Sequence, residues 1–143
     1  MNIILIAIGG ALGSVVRYLS MQAINKLLKI SNSNPEKFLQ KFSFFISSFP
    51  CGTFLVNVIG SMLAGVLYFF VIRNFENFDQ ALKNFLLVGF LGGFTTFSAF
   101  SLDFFRLFTA GQQAQALIYA VASVVFSILA LFFGFYLTKA IFS

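Results

Sequence analysis

The stretch "GFLGGFTTFSAFS", Gly89 to Ser101, decides how this chain is read. Its 13 residues hold three glycines, two threonines, two serines and four phenylalanines, and they sit inside residues 84–102, a run without a single charge. A charge-free run of that length reads as a membrane span, which needs about 20 mostly apolar residues. Glycine costs about 1 kcal/mol in a helix interior, and Thr95 and Thr96 add β-branching. Gly92, Gly93, Thr95 and Thr96 together therefore allow the helix to break. Non-helical backbone at membrane depth is tolerated only where protein buries it or it lines a cavity, and a break frees carbonyls that suit a hard cation. Beyond that point Phe97 and Phe100, three apart, share a helix face. On pattern alone the plainer alternative, a glycine-rich packing face with apolar knobs, stays open.

Working outward, the rest of the chain is of the same kind. Of 143 residues, 59% are hydrophobic and 9% charged, against about 25% charged in a soluble domain. Such a chain cannot cover a soluble surface. Residues 3–25 are apolar except for Arg17, and residues 42–72 and 107–138 carry no charge. The expectation is an all-α membrane protein, one domain over 1–143, with four transmembrane helices at roughly 3–27, 43–73, 83–107 and 112–141. An even number of spans puts both termini on one side. The connections are a polar loop from Lys26 to Lys41 with Pro35, the interfacial "RNFENFDQALK", and a tight turn at Thr109 to Gln113.

Composition also excludes. With no histidine, imidazole metal ligation and a histidine dyad are out. The single cysteine, Cys51, cannot form an intrachain disulfide and reads as a small buried residue. The opening "MNIILIAIGG" has no basic n-region, so it reads as a retained span rather than a signal peptide. The net charge of +5 fits basic loop ends better than nucleic-acid binding. Those ends divide three against five: Arg73, Lys83 and Lys139 on the terminal side, and Lys26, Lys29, Lys37, Lys41 and Arg106 opposite. So weak a bias lets the chain insert either way up, which would permit an antiparallel homodimer. A single orientation with the first loop cytoplasmic is the other reading.

Polar and small residues recur four apart, the spacing of a shared helix face. Gly9, Gly13 and Arg17 do so in the first span, Thr53, Asn57, Ser61 and Gly65 in the second, and Tyr119, Ser123 and Ser127 in the fourth. Gly9 and Gly13 form a GxxxG pair that lets another backbone approach closely. Arg17 is expensive at membrane depth. It either snorkels to the far interface or makes a wet cavity electropositive. Asn57 needs partners for its amide, whether in packing or in a site. The stripes together suggest a polar track rich in donors. Asp103 is placed near a helix end, so no carboxylate is expected inside a span. That argues against cation-coupled transport and leaves no general acid or base for an enzyme.

Three motifs carry a resemblance: "GGALGSVVRY" at Gly9 to Tyr18, "GTFLVNVIGSMLAG" at Gly52 to Gly65, and the opening stretch. In order, on three helices, they resemble the CrcB/Fluc family of bacterial fluoride channels over nearly the whole chain. The resemblance implies four-helix subunits with a broken third helix, paired as an antiparallel, dual-topology homodimer in the lipid of the bacterial plasma membrane. It implies fluoride pores along the subunit interface. Phe97, Phe100, Asn57, Tyr119 and Ser123 would line a pore, and Arg17 would stand at a vestibule. Main-chain carbonyls of Gly92 and Thr95 would hold a structural sodium ion at the dimer centre. Ser127 extends the Ser123 face as a weaker candidate. The first loop, about Ser31 to Lys41, looks longer than the family's and receives no role. The implied activity is passive, fluoride-selective export that protects the cell from fluoride. The rival from another class is a small dual-topology multidrug or other solute transporter; a third reading is a non-transporting assembly protein.

Overall fold

Hydrocarbon offers no partner to a backbone amide, so long apolar runs fold as helices. In a computed structural model, which describes residues 2–31, 48–73 and 79–142, this chain forms helices and, among those residues, no strand. Helix α1 is Asn2–Ser31 and α2 is Cys51–Arg73. The third span opens with α3, Gln80–Lys83, widens into π-helical turns over Asn84–Leu91, and tightens again in α4, Gly92–Phe94. Thr95 and Thr96 are extended. Helix α5, Phe97–Thr109, and α6, Gln113–Phe142, complete the chain. Among the described residues, four stretches are long and apolar enough to cross a membrane: Ile3–Leu28, Cys51–Arg73, Gln80–Thr109 and Gln113–Phe142.

The helix ends have local causes. Pro50 lacks an N–H, which is harmless at a helix start, and its carbonyl accepts from the Phe54 amide at 3.0 Å. Asp79 caps α3 by accepting the Ala81 amide at 2.9 Å, a usual role for aspartate at a helix N-terminus. Residues Gln80–Lys83, read from sequence as part of an interfacial connection, therefore begin the third span. Likewise α1 continues through Ser31, past Lys26 where the first connection was expected to start. Lysine is a good helix former and gives no stop signal. The remainder of that loop, residues 43–47 of the expected second span, and residues 74–78 lie outside the described residues. Gly111, with φ 79°, turns the chain between α5 and α6 in the left-handed conformation that glycine adopts without strain.

Packing follows two pairings. Helix α1 lies along the π-helical turns and α4, whereas α2 lies along α6. Glycine makes both close. A Cβ on Gly9 or Gly13 would collide with the backbone carbonyls of Phe85 or Phe90, and one on Gly93 would meet the backbone of Gly10. On the other side, Gly65 fits against the Leu131 carbonyl and Gly134 against that of Met62. At its lower end the second pair is tied by Arg73, which donates to the Phe142 carbonyl, a favourable use of a cation at a helix C-terminus. Past the extended Thr95–Thr96 pair the third span changes neighbours: α5 packs on α6 rather than on α1. Large apolar side chains such as Val121 (63% exposed), Phe133 (60%) and Leu129 (57%) point outward, as a lipid-facing surface requires.

Candidate functional site

The site is built around Thr95 and Thr96. Thr95 has φ −84°, ψ 155° and Thr96 φ −151°, ψ 121°. The Thr95 amide still closes the helical ladder onto the Leu91 carbonyl at 2.9 Å, but the Thr96 amide leaves it. Buried backbone groups must still find partners, and here side chains supply them. The Thr96 amide donates to Asn57 Oδ1 at 2.9 Å, and Asn57 Nδ2 donates back to the Thr96 carbonyl at 3.1 Å. Thr96 Oγ1 accepts the Ala99 amide at 3.2 Å and so caps α5. Thr95 Oγ1 donates to the Leu91 carbonyl at 2.9 Å. From α1, Arg17 Nη1 reaches the Thr95 carbonyl at 3.4 Å. Gly60 on α2 leaves room for this arrangement, since a Cβ there would strike the Thr95 methyl.

Beside the pair lies an open cavity of about 560 Å³. Among its lining residues are Asn57, Gly92, Thr95, Phe97, Phe100 and Ser123. Six of the eight site residues named from sequence thus face one space, contributed by α2, α4, the extended pair, α5 and α6. Phe97 is 78% exposed, and its ring centroid lies 5.4 Å from that of Phe100. Tyr119 stands behind the cavity wall, fully buried, with Phe100 at 5.3 Å and Phe49 at 5.4 Å between ring centroids. Neither the Tyr119 hydroxyl nor Ser123 Oγ has a well-formed hydrogen bond, although Ser123, Thr53 and Asp103 all border that phenol. Arg17 is the eighth residue; it does not line the cavity and meets the extended pair from α1.

Two sequence readings change. The second-helix stripe is not one face. Each four-residue step advances about 40° around a helix, so its members meet different neighbours. Thr53 bonds Asp103, Asn57 bonds Thr96, Ser61 lines the cavity and Gly65 packs on α6. Asp103 is the second correction. It lies midway along α5, with its side chain 17% exposed, rather than at a helix end. Thr53 Oγ1 donates to its Oδ2 at 2.6 Å, and Arg106 stands 3.8 Å from its Oδ1. A span therefore does hold a carboxylate, and its absence cannot serve against coupled transport. The signal was present in the sequence: Phe97, Phe100 and Asp103 recur at intervals of three.

A cation would find suitable groups here. Because the Thr96 amide is turned to Asn57, the Gly92 carbonyl loses the donor that an uninterrupted helix would give it four residues on. Gly92 is exposed, and the Thr95 carbonyl, on an extended residue, accepts the long contact from Arg17. Uncharged carbonyl oxygens of this kind suit a hard cation such as sodium. The described residues offer no cluster of His, Cys, Asp or Glu for a transition metal.

Four helices long and apolar enough to cross a membrane among the described residues, with hydroxyl, amide and ring groups of the second, third and fourth spans facing one open cavity, define a multi-pass membrane protein. The chain belongs to the CrcB-like family (Camphor Resistance, CrcB), whose model matches residues 4–135. It is 39% identical over 140 residues to a "Fluoride-specific ion channel FluC" of Chelativorans sp., covering 98% of both chains. A protein of the same name from Rhizobium meliloti is 42% identical over 139 residues, covering 97% of each. "Fluoride-specific ion channel FluC 1" of Nitrobacter hamburgensis is 41% identical over 140 residues, covering 97% of this chain and 96% of that one.

Proposed function

We propose that this protein is a subunit of a fluoride-selective ion channel in the bacterial plasma membrane, through which fluoride leaves the cell passively. The observation that carries the reading is the single cavity shared by Asn57, Phe97, Phe100 and Ser123, in a chain about 40% identical over nearly its full length to proteins named fluoride-specific channels. Fluoride holds its water tightly, so a pore must replace that shell with donors. The amide of Asn57, the hydroxyls of Ser123 and Tyr119, and the positive edges of the two rings offer such replacements. Each is uncharged and weak, and conduction demands that no single site hold the ion too firmly. Arg17 would raise the local anion concentration at a vestibule. Fluoride that enters as its neutral acid dissociates inside, and the membrane potential then drives the anion out. No catalytic step is part of this reading.

Assembly belongs to the same proposal. The cavity is open on one side and Phe97 projects from its rim, as a surface completed by a second copy would. The weak charge asymmetry supports an antiparallel, dual-topology homodimer, with pores along the interface and the two Gly92–Thr95 carbonyl sets meeting at the centre. A sodium ion bound there would supply positive charge to the facing carbonyls of two broken third helices and so hold the subunits together.

The deciding experiment is a fluoride-electrode record from vesicles reconstituted with the purified protein. Fluoride release is expected with a fixed voltage and no proton gradient, and chloride release is not. Equal release of chloride would overturn the selective-channel reading. Asp103 gives the transporter alternative its one specific support, and that alternative requires flux to stop when the proton gradient is collapsed.

A further inference from the structure

Arg17 is a full charge on a membrane-spanning helix, half-buried, and the described residues hold no carboxylate in ion-pair contact with it. Its recorded acceptor is the Thr95 carbonyl oxygen, at 3.4 Å. That oxygen is also one of the two carbonyls that the functional reading assigns to sodium. One backbone oxygen is thus within reach of two cations, one tethered to α1 and one free.

We propose that Arg17 is a built-in competitor for the cation site: its guanidinium and a sodium ion contend for the Thr95 carbonyl, so that ion occupancy and the seat of Arg17 are linked. The proposal rests on the reading of Gly92 and Thr95 as sodium ligands. Its physical basis is charge. Two cations sharing one oxygen lie about 6 Å apart or less, and at an effective dielectric near 20 their repulsion corresponds to a change of about a hundredfold or more in affinity. The linkage is reciprocal: whatever Arg17 takes from sodium affinity, sodium takes from the hold on Arg17.

The arrangement also reconciles the two positions open to Arg17. At the middle of α1, its long stem can lie along apolar surface while the guanidinium turns toward water. With sodium bound, the guanidinium is displaced toward the vestibule, where it attracts anions. Without sodium, it bonds the extended pair and the vestibule loses that charge. Cation binding at the centre thereby sets the electrostatics of the mouth.

The test is a sodium titration of thermal stability on the purified full-length protein in detergent, with choline chloride replacing sodium chloride at constant ionic strength. Wild type is expected to gain stability with a defined sodium midpoint. Arg17→Gln and Arg17→Met, both neutral and cheaper to bury than arginine, are expected to lower that midpoint by about tenfold or more. Arg17→Lys keeps the charge and is expected to stay within about threefold of wild type. A purely structural Arg17 would change stability equally in sodium and choline and leave the midpoint where it was. A sodium response with the same midpoint in wild type and both neutral variants overturns the competition while leaving the cation site standing. No sodium response in wild type overturns both.

Discussion

Asn57 and Thr96 pair through both ends of an amide: the Thr96 N–H donates to Oδ1 at 2.9 Å and Nδ2 donates to the Thr96 carbonyl at 3.1 Å. The side chain on α2 thus stands in for the backbone partners that the extended Thr96 lacks. One N–H of the Asn57 amide is committed to this bond, and only the other is available to an anion. Replacing Asn57 by alanine leaves two half-buried backbone groups without partners, each costing at most about 1–3 kcal/mol. Asn57→Ala is expected to lower the thermal midpoint in detergent clearly and to reduce fluoride efflux at least tenfold. Asn57→Asp keeps the acceptor for the Thr96 amide and loses the donor. It is expected to keep more stability than alanine while still losing flux. Normal efflux with either variant would remove Asn57 from the site.

The glycines give a contrast on the same segment. A Cβ on Gly13 would be driven into the Phe90 carbonyl, whereas one on Gly92 comes no nearer than 4.0 Å to the Leu87 carbonyl. Overpacking of the first kind typically costs about 1–3 kcal/mol. Gly13→Ala is therefore expected to destabilise the protein and Gly92→Ala to be nearly neutral in thermal unfolding, since an added methyl leaves the carbonyl of residue 92 in place. Comparable melting of the two variants would mean that α1 does not sit on the third span as closely as described.

How much of this was legible beforehand depends on which force decided each feature. The spans follow from where charges stop, because burial of charge is costly enough to dominate any local preference. The sites on Asn57, Phe97 and Ser123 were named from spacing and a family likeness, and they do come to one cavity. Spacing failed where rotation accumulates: Thr53 and Gly65 are twelve residues apart on α2 and face Asp103 and α6 respectively. It failed again at Asp103, four residues from the end of the expected span 83–107: a new helix starts at Phe97 and runs to Thr109, which puts Asp103 midway along α5. Nothing in "NFLLVGFL", Asn84–Leu91, announces π-helical turns, since composition does not distinguish one helical register from another. The extension of α1 through Ser31 was hidden for the opposite reason, as polar helix formers were read as loop.

Phe97 and Phe100 lie one turn apart yet make different demands on the fold. Phe97 is 78% exposed, while the Phe100 ring packs against Tyr119 at 5.3 Å. An aromatic pair is worth about 0.5–1.5 kcal/mol beyond its buried area. Both Phe97→Ile and Phe100→Ile are expected to abolish fluoride efflux from vesicles, because isoleucine has no positive ring edge. Only Phe100→Ile is expected to lower the stability of the single subunit, by about 1 kcal/mol. Retained fluoride resistance in cells carrying both substitutions would favour a protein that does not conduct fluoride at all.

Tyr119 and Ser123 separate conduction from folding most cleanly. A buried hydroxyl usually holds its place because it is hydrogen-bonded, and removing it then costs stability. Here neither the Tyr119 hydroxyl nor Ser123 Oγ is well bonded, while the Tyr119 ring is held by Phe49 and Phe100. Tyr119→Phe keeps the ring and those contacts and deletes only the hydroxyl. It is expected to leave the thermal midpoint unchanged or slightly raised, since an underused buried polar group is lost. Ser123→Ala is expected to behave in the same way. If these hydroxyls serve the anion, each variant should slow fluoride efflux several-fold despite its intact fold. The control is Thr53→Val, which strips Asp103 of a 2.6 Å hydrogen bond and is expected to cost about 1.5–3 kcal/mol, the range for bonds to charged groups. A Tyr119→Phe protein that melts like wild type and conducts like wild type would show that this hydroxyl takes no part in the path.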